Sequence, residues 1–204
     1  MQQRNYHLGE LAIAQDPSHP AHLNPEIRPG ERVLDIGCGA GQTLIATCPD
    51  RASYGIDVDL DALQIGRTLT HNVRFSAASA ETLPFRSETF DVVIARVSLP
   101  YTRLSASLAE VHRVLRPGGR FWTTLHPISL AFGQAREGSW KGWVHFGYVV
   151  ANGLLFHATG AQFRFRGRME SIQTTGGVKR QLSRVGFKEI HVKHGRHFLV
   201  EAVK

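Results

Sequence analysis

Nine residues, Val33-Leu34-Asp35-Ile36-Gly37-Cys38-Gly39-Ala40-Gly41, constrain the fold more than any other stretch of the chain. The apolar run Arg32 to Ile36 reads as a short buried strand, and three glycines on alternate positions follow it. A helix-permissive stretch, Gln42 to Thr47, comes next. Strand, glycine turn and helix bring backbone close to a nucleotide-like ligand at the carboxyl end of a parallel strand. Glycine serves there because a Cβ would block a positive φ angle or the approach of the ligand.

The dinucleotide fingerprint is G-x-G-x-x-G, or Ala in its last place, with a pyrophosphate at the helix amino end. Here the sixth place is Gln42, and the third glycine comes one residue early. Asp35 stands two residues before the first glycine, where it would repel a pyrophosphate but hold a cationic amino group. The stretch resembles motif I of the class I S-adenosylmethionine-dependent methyltransferases, roughly (D/E)-x-G-x-G-x-G. S-adenosylmethionine carries an ammonium and a sulfonium and no phosphate, so the acid and the early glycine agree.

Later residues extend the resemblance. A second strand, Ala52 to Ile56, ends on Gly55-Ile56-Asp57-Val58-Asp59. Asp57 lies 20 residues after Gly37, the separation at which an acid takes ribose hydroxyls in βαβ units. Asp59 is placed to cap the next helix, in which Ala62, Leu63, Ile65, Gly66 and Leu69 have helical spacing. After a third strand, Val73 to Ala77, comes Ser79-Ala80-Glu81-Thr82-Leu83-Pro84-Phe85. The family commonly has an acid for the adenine amine where Ser79 stands. The Ala80 backbone, with Glu81 or Ser79 as acceptor, is the substitute this chain offers. Phe90 to Ala95 is a fourth, central strand, followed by Arg96-Val97-Ser98-Leu99-Pro100-Tyr101 on the expected substrate side. Leu104 to Leu115 is an amphipathic helix that Arg116-Pro117-Gly118-Gly119 stops before strand five, Phe121 to Leu125. The combination Glu110-x-x-Arg113-Val114-Leu115-Arg116-Pro117-Gly118-Gly119 is characteristic of the family, with a structural role.

The resemblance spans roughly residues 30–126 and 175–204. It implies a Rossmann-like, doubly wound α/β fold: a seven-stranded, mostly parallel sheet with an antiparallel last strand and an aromatic-rich cap insert after strand five. One domain is expected, with a lid-like leader (1–29), a cofactor-binding core (30–126), the cap insert (127–173) and a closing helix and hairpin (174–204). The implied cofactor is S-adenosyl-L-methionine, contacted by Asp35, Gly37, Cys38, Gly39, Gly41, Asp57, Val58, Ala80, Glu81 and the Arg96 backbone. Tyr101 and His126 are the candidates for substrate contact or proton removal; shaping the strand exit is the simpler role for His126. No metal site is expected.

Outside this core the sequence says less. The leader holds an apolar patch, Leu8 to Ala14, good for one or two helical turns, then a connector from Asp16 to Pro25 whose three prolines forbid a regular helix. With the leader folded over the cofactor as a lid, His7, His19 and His22 could reach the site; exposed connector residues are the simpler reading. Residues 128–172 hold Trp140, Trp143, Phe146, Tyr148, Phe156, Phe163 and Phe165, as a substrate cap or as a satellite hydrophobic cluster. Gln162 to Arg168 alternates as an exposed strand would, with Arg164, Arg166 and Arg168 on one face. Val178 to Val185 is the last helix, ended by Gly186, and two closing strands, Phe187 to Lys193 and His197 to Val203, follow it.

Composition bounds the rest. At 204 residues, 42% hydrophobic and 20% charged, the chain suits one globular domain. No apolar run nears the roughly 18 residues of a membrane span, and no signal peptide is apparent. Two cysteines, Cys38 and Cys48, make no disulfide framework, so a cytoplasmic protein is expected. The net charge of +7 permits a nucleic-acid partner, but charge spread so thinly does not favour one. The expected partner is a small-molecule acceptor. An RNA or protein methyltransferase and a non-catalytic S-adenosylmethionine-binding protein are the alternatives. No sequence feature specifies an oligomeric state.

Overall fold

A computed structural model describes residues 2–125, 132, 140–165, 169–195 and 198–204. Its centre is a seven-stranded sheet in the order β3-β2-β1-β4-β5-β7-β6. The strands are β1 (Val33–Ile36), β2 (Ser53–Asp57), β3 (Val73–Ala77), β4 (Phe90–Arg96), β5 (Leu115–Leu125), β6 (Lys188–His194) and β7 (Phe198–Val203). Strands β1 to β5 pair in parallel, and β7 runs antiparallel to both β5 and β6. The strand order reverses between β1 and β4, and a crevice opens at such a point outside the carboxyl ends.

Alternation along each strand decides which side chains reach that crevice. Leu34 and Ile36 of β1 join Val93 and Ala95 of β4 in the larger core, beneath helices α4 (Leu104–Val114) and α6 (Thr175–Val185). Val33, Val92 and Ile94 face the other way, into a smaller core with Leu44 of helix α2 (Gln42–Thr47). Asp35 and Arg96 follow that second set, so a carboxylate and a guanidinium reach one side of the crevice.

Four local expectations are revised. The leader forms a 14-residue helix, α1 (Gln2–Gln15), rather than one or two turns. His7 is not exposed: it is 6% accessible and faces inward. Strand β5 begins at Leu115, so Arg116-Pro117-Gly118-Gly119 is an irregularity within it. Phe90 pairs with Leu115 but Val92 with Arg120. Gly118 absorbs the extra residues at φ 76°, and its N–H donates to the Lys204 carbonyl at 3.0 Å. Finally, residues 162–165 form no regular strand, only a bridge at Phe165. The Asn152 side chain takes both the N–H and the carbonyl of Phe163, at 2.9 and 3.1 Å, and leaves no ladder to extend. Arg166 and Arg168 lie outside the described residues.

Within the insert, helix α5 (Trp140–Thr159) carries a small core of its own, in which Tyr148, Val149 and Ile172 pack with Phe165. Phe156 reaches the main core instead. The insert also joins the domain through Gln162, whose Oε1 accepts the N–H of Leu104 at 2.7 Å. Helix α3 (Leu60–Leu69) starts on Asp59, whose side chain accepts from the N–H groups of Asp61 and Ala62. Helix α6 starts on Thr174 and ends on Gly186 at φ 112°.

Candidate functional site

Two adjoining chambers occupy the crevice. The inner one, about 250 Å³, is lined by Asp35, Gly37, Cys38, Gly39, Gln42 and Thr43 from the β1–α2 segment and by Tyr6, His7 and Glu10 from α1. The outer one, about 530 Å³, runs past Asp57, Val58, Ala78, Ser79, Ala80 and Glu81 to Ser98, Tyr101 and Thr102. Tyr6, Gly37, Arg96 and Val97 belong to both.

The glycine turn gets its shape from packing. Gly37 sits at φ 72°, and a Cβ there would lie 2.2 Å from that of Ser98. Ser98 is pinned because its hydroxyl donates to the Ile36 carbonyl at 2.6 Å. The end of β1 and the segment after β4 thus meet across a gap that admits only hydrogen. Gly41, at φ 80°, starts α2, and a Cβ there would meet the Phe75 ring at 2.7 Å. Asp57 braces the turn from β2. Its Oδ2 accepts the Gly39 N–H at 2.8 Å and its Oδ1 accepts the Asp59 N–H at 2.9 Å. Each carboxylate oxygen keeps a further lone pair for a hydroxyl.

Asp35 is 2% accessible, and its Oδ1 has no hydrogen-bond partner. Burial pushes its carboxyl up to about 8, with Arg96 pulling it down and Asp57 adding to the rise. Burial, with Asp35 and Asp57 nearby, also pushes the Cys38 thiol well up, so Cys38 is a wall of the site and not a nucleophile.

On the outer side, Ser79 and Thr82 form an isolated bridge, and the Ser79 hydroxyl accepts the Glu81 N–H at 3.2 Å. Glu81 is committed to Arg103, accepting its N–H at 2.9 Å and its Nε–H at 2.6 Å. Burial pushes Glu81 up, but these Arg103 contacts outweigh it and hold the carboxyl below its usual range. Ala80 is buried and Val58 is exposed along the chamber rim. Tyr101 is 52% accessible, and burial raises its hydroxyl above the ordinary range, with Glu170 and Tyr6 contributing. His126 lies outside the described residues.

Helix α1 supplies the lining residues Tyr6, His7 and Glu10, of which only His7 has a site role among the sequence alternatives. Gln3, His7 and Glu10 share one face of α1 by helical spacing. They reach Oδ2 of Asp59 at 2.9 Å, Nε2 of Gln42 at 2.8 Å and the Arg96 guanidinium at 3.6 Å. That spacing is the signal that would have found them. Val97 has no such signal. It is β-branched yet sits at φ 59°, held by its N–H bonding to the carbonyl and hydroxyl of Thr124 at 3.2 and 3.0 Å. A conformation of this kind costs about 1–3 kcal/mol and collects at functional sites.

Residues 34–123 match the methyltransferase domain family. Over that core the chain is similar to S-adenosylmethionine-dependent methyltransferases. An uncharacterised methyltransferase of Bacillus subtilis is 34% identical over 108 residues, 50% of this chain and 43% of that protein. A fatty-acid O-methyltransferase of Mycolicibacterium smegmatis is 39% identical over 102 residues, 47% of this chain and 37% of its own. The chain thus spans less than half the length of these relatives. The fold is shared with an S-adenosylmethionine-dependent methyltransferase of Mesorhizobium loti, at a TM-score of 0.66 and 21% identity, over 88% of this chain and 93% of that one.

The residues of the crevice fit S-adenosyl-L-methionine, the cofactor that the matched domain family implies. Asp35 has an unpartnered oxygen for an ammonium, and Asp57 has spare acceptor capacity for hydroxyls. Among the described residues, no helix is long and apolar enough to cross a membrane.

Proposed function

We propose that this protein transfers a methyl group from S-adenosyl-L-methionine to a small-molecule acceptor. The observation that carries the reading is the buried, unpartnered carboxyl oxygen of Asp35 beneath the glycine turn, with Asp57 one strand away. Bound there, S-adenosylmethionine would supply an electrophilic methyl on a sulfonium.

In this reading Asp35 holds the amino group at the end of β1. Asp57 accepts from ribose, while Val58, Ala80 and the backbone around Glu81 flank adenine. Gly37, Gly39 and Gly41 let the turn lie close to the ligand, with Cys38 filling the space behind it. Tyr6, Arg96 and Val97 divide the chambers and exclude water from the reacting end. Rate then comes chiefly from alignment, which well-oriented reactants exploit to large effect. Tyr101, protonated at neutral pH, suits orientation of the acceptor better than proton removal. A small acceptor agrees with the fatty-acid O-methyltransferase among the relatives. Two buried, unpaired cysteines support a reducing, cytoplasmic setting.

Calorimetric titration with S-adenosylhomocysteine, beside Asp57→Ala and an NAD control, tests this. Micromolar binding that weakens ten-fold or more in the variant, about 1.4 kcal/mol, is the expected result. Absence of binding by the wild type, with or without acceptors, would sink the reading.

A further inference from the structure

Two side chains of opposite hydrogen-bonding character line the inner chamber, and each carries a buried atom without a partner: Oδ1 of Asp35 and Nε2 of His7. One comes from the sheet and the other from α1.

The tautomer of a neutral His7 ring follows from its neighbour. Its Nδ1 lies 2.8 Å from Nε2 of Gln42, an amide nitrogen that can only donate. Nδ1 therefore accepts, and the proton of the neutral ring sits on Nε2. The pair packs directly over the glycine turn. A Cβ at Gly39 would lie 3.3 Å from Oε1 of Gln42 and 3.4 Å from Cε1 of His7. A buried N–H donor without an acceptor costs about 1–3 kcal/mol. It persists here on a helix whose inner face is otherwise bonded through Gln3 and Glu10.

A ligand end bearing both an ammonium and a carboxylate, as an α-amino acid does, satisfies both orphaned atoms. Arg96 lines the same chamber, but its guanidinium already faces Glu10 at 3.6 Å. Resting on the cofactor reading above, we propose that His7 is a cofactor-binding residue. Its Nε2–H donates to the carboxylate at the amino-acid end of S-adenosylmethionine while Asp35 takes the ammonium. Gln42 holds the imidazole in the required tautomer, and α1 completes the binding site.

The test is calorimetry on the full chain with two probes, S-adenosylhomocysteine and methylthioadenosine, which keeps the nucleoside and sulfur but lacks the amino-acid end. His7→Phe is expected to weaken S-adenosylhomocysteine by about ten-fold or more and to leave methylthioadenosine within about two-fold. His7→Gln, which keeps an N–H donor, should retain more of the affinity and serves if the Phe variant does not fold. Unchanged S-adenosylhomocysteine binding in His7→Phe would put the carboxylate elsewhere and overturn the proposal. So would an equal loss for both probes, or wild-type protein that binds the two alike. Wild-type protein that binds neither probe overturns the cofactor reading as well.

Discussion

Asp35 sits in the fold at a disadvantage that a bound cation would relieve. Burial raises its carboxyl to about 8, with Arg96 opposing and Asp57 adding. A carboxyl raised in the folded state favours folding fully below the ordinary carboxylate range. That contribution is lost as pH rises through about 8. Asp35→Asn should remove the dependence and exceed the wild type in stability at pH 8 by about 2 kcal/mol or more. Urea unfolding at pH 5 and pH 8 checks this, and parallel pH profiles for the two proteins would refute it. Ligand binding should also release a proton at pH 7, because an ammonium restores the charged carboxylate. Calorimetric enthalpies in buffers of different ionisation heat measure the release. At the neighbouring turn, Gly37→Ala faces both a positive φ and the Ser98 side chain. It should destabilise the fold by about 3 kcal/mol. Adding Ser98→Gly should recover part of that loss, the steric part, in the same denaturation assay.

Among the elements, α4 does more than lead into β5. Arg113 forks onto Glu110 at 2.7 and 2.8 Å and also donates to the carbonyls of Phe85 and Leu83. Glu110 in turn accepts the Leu83 N–H at 2.7 Å. From sequence, the Glu110 to Gly119 combination is only a helix stop; the structure adds a clamp on the loop that carries Ser79 to Glu81. Glu110→Ala and Arg113→Ala should each cost roughly 2 kcal/mol. The double variant should be little worse than either, as thermal unfolding would show. The Arg113 hydrogen bonds hold the Glu110 carboxyl low. Its contribution is present above the ordinary carboxylate range and fades as pH falls below it. Helix α1 makes the complementary point. Its inner face is Gln3, His7 and Glu10, so hydrophobic periodicity registered only the Leu8 to Ala14 patch.

For the whole molecule, the switch between β1 and β4 brings α1, the glycine turn, the β2 end and the segment after β4 to one crevice. A ligand there links elements that are otherwise joined through few polar contacts. Saturation with S-adenosylhomocysteine at 100 times its dissociation constant should raise the unfolding free energy by about 2.7 kcal/mol. Amide hydrogen exchange should slow in α1 and at the β1 and β2 ends, and hardly at all in the distal β6–β7 hairpin. Protection confined to β1 and β2 would mean that α1 takes no part in binding.

The sequence by itself determined the strand, glycine turn and helix at Val33 to Thr47, the acid at Asp57, the cap at Asp59 and, apart from the early start of β5 at Leu115, the position of each sheet strand to within a few residues. Those features are local, because a buried strand or a capped helix writes its period and its stop signals into adjacent residues. Only the tertiary structure decided that His7 is buried over Gly39, that Ser98 requires Gly37, that Arg113 clamps Leu83, and that Val97 is held at positive φ. Each depends on a partner distant in sequence or on strain imposed by the surrounding packing. Polar faces turned toward a ligand chamber leave no hydrophobic period to read.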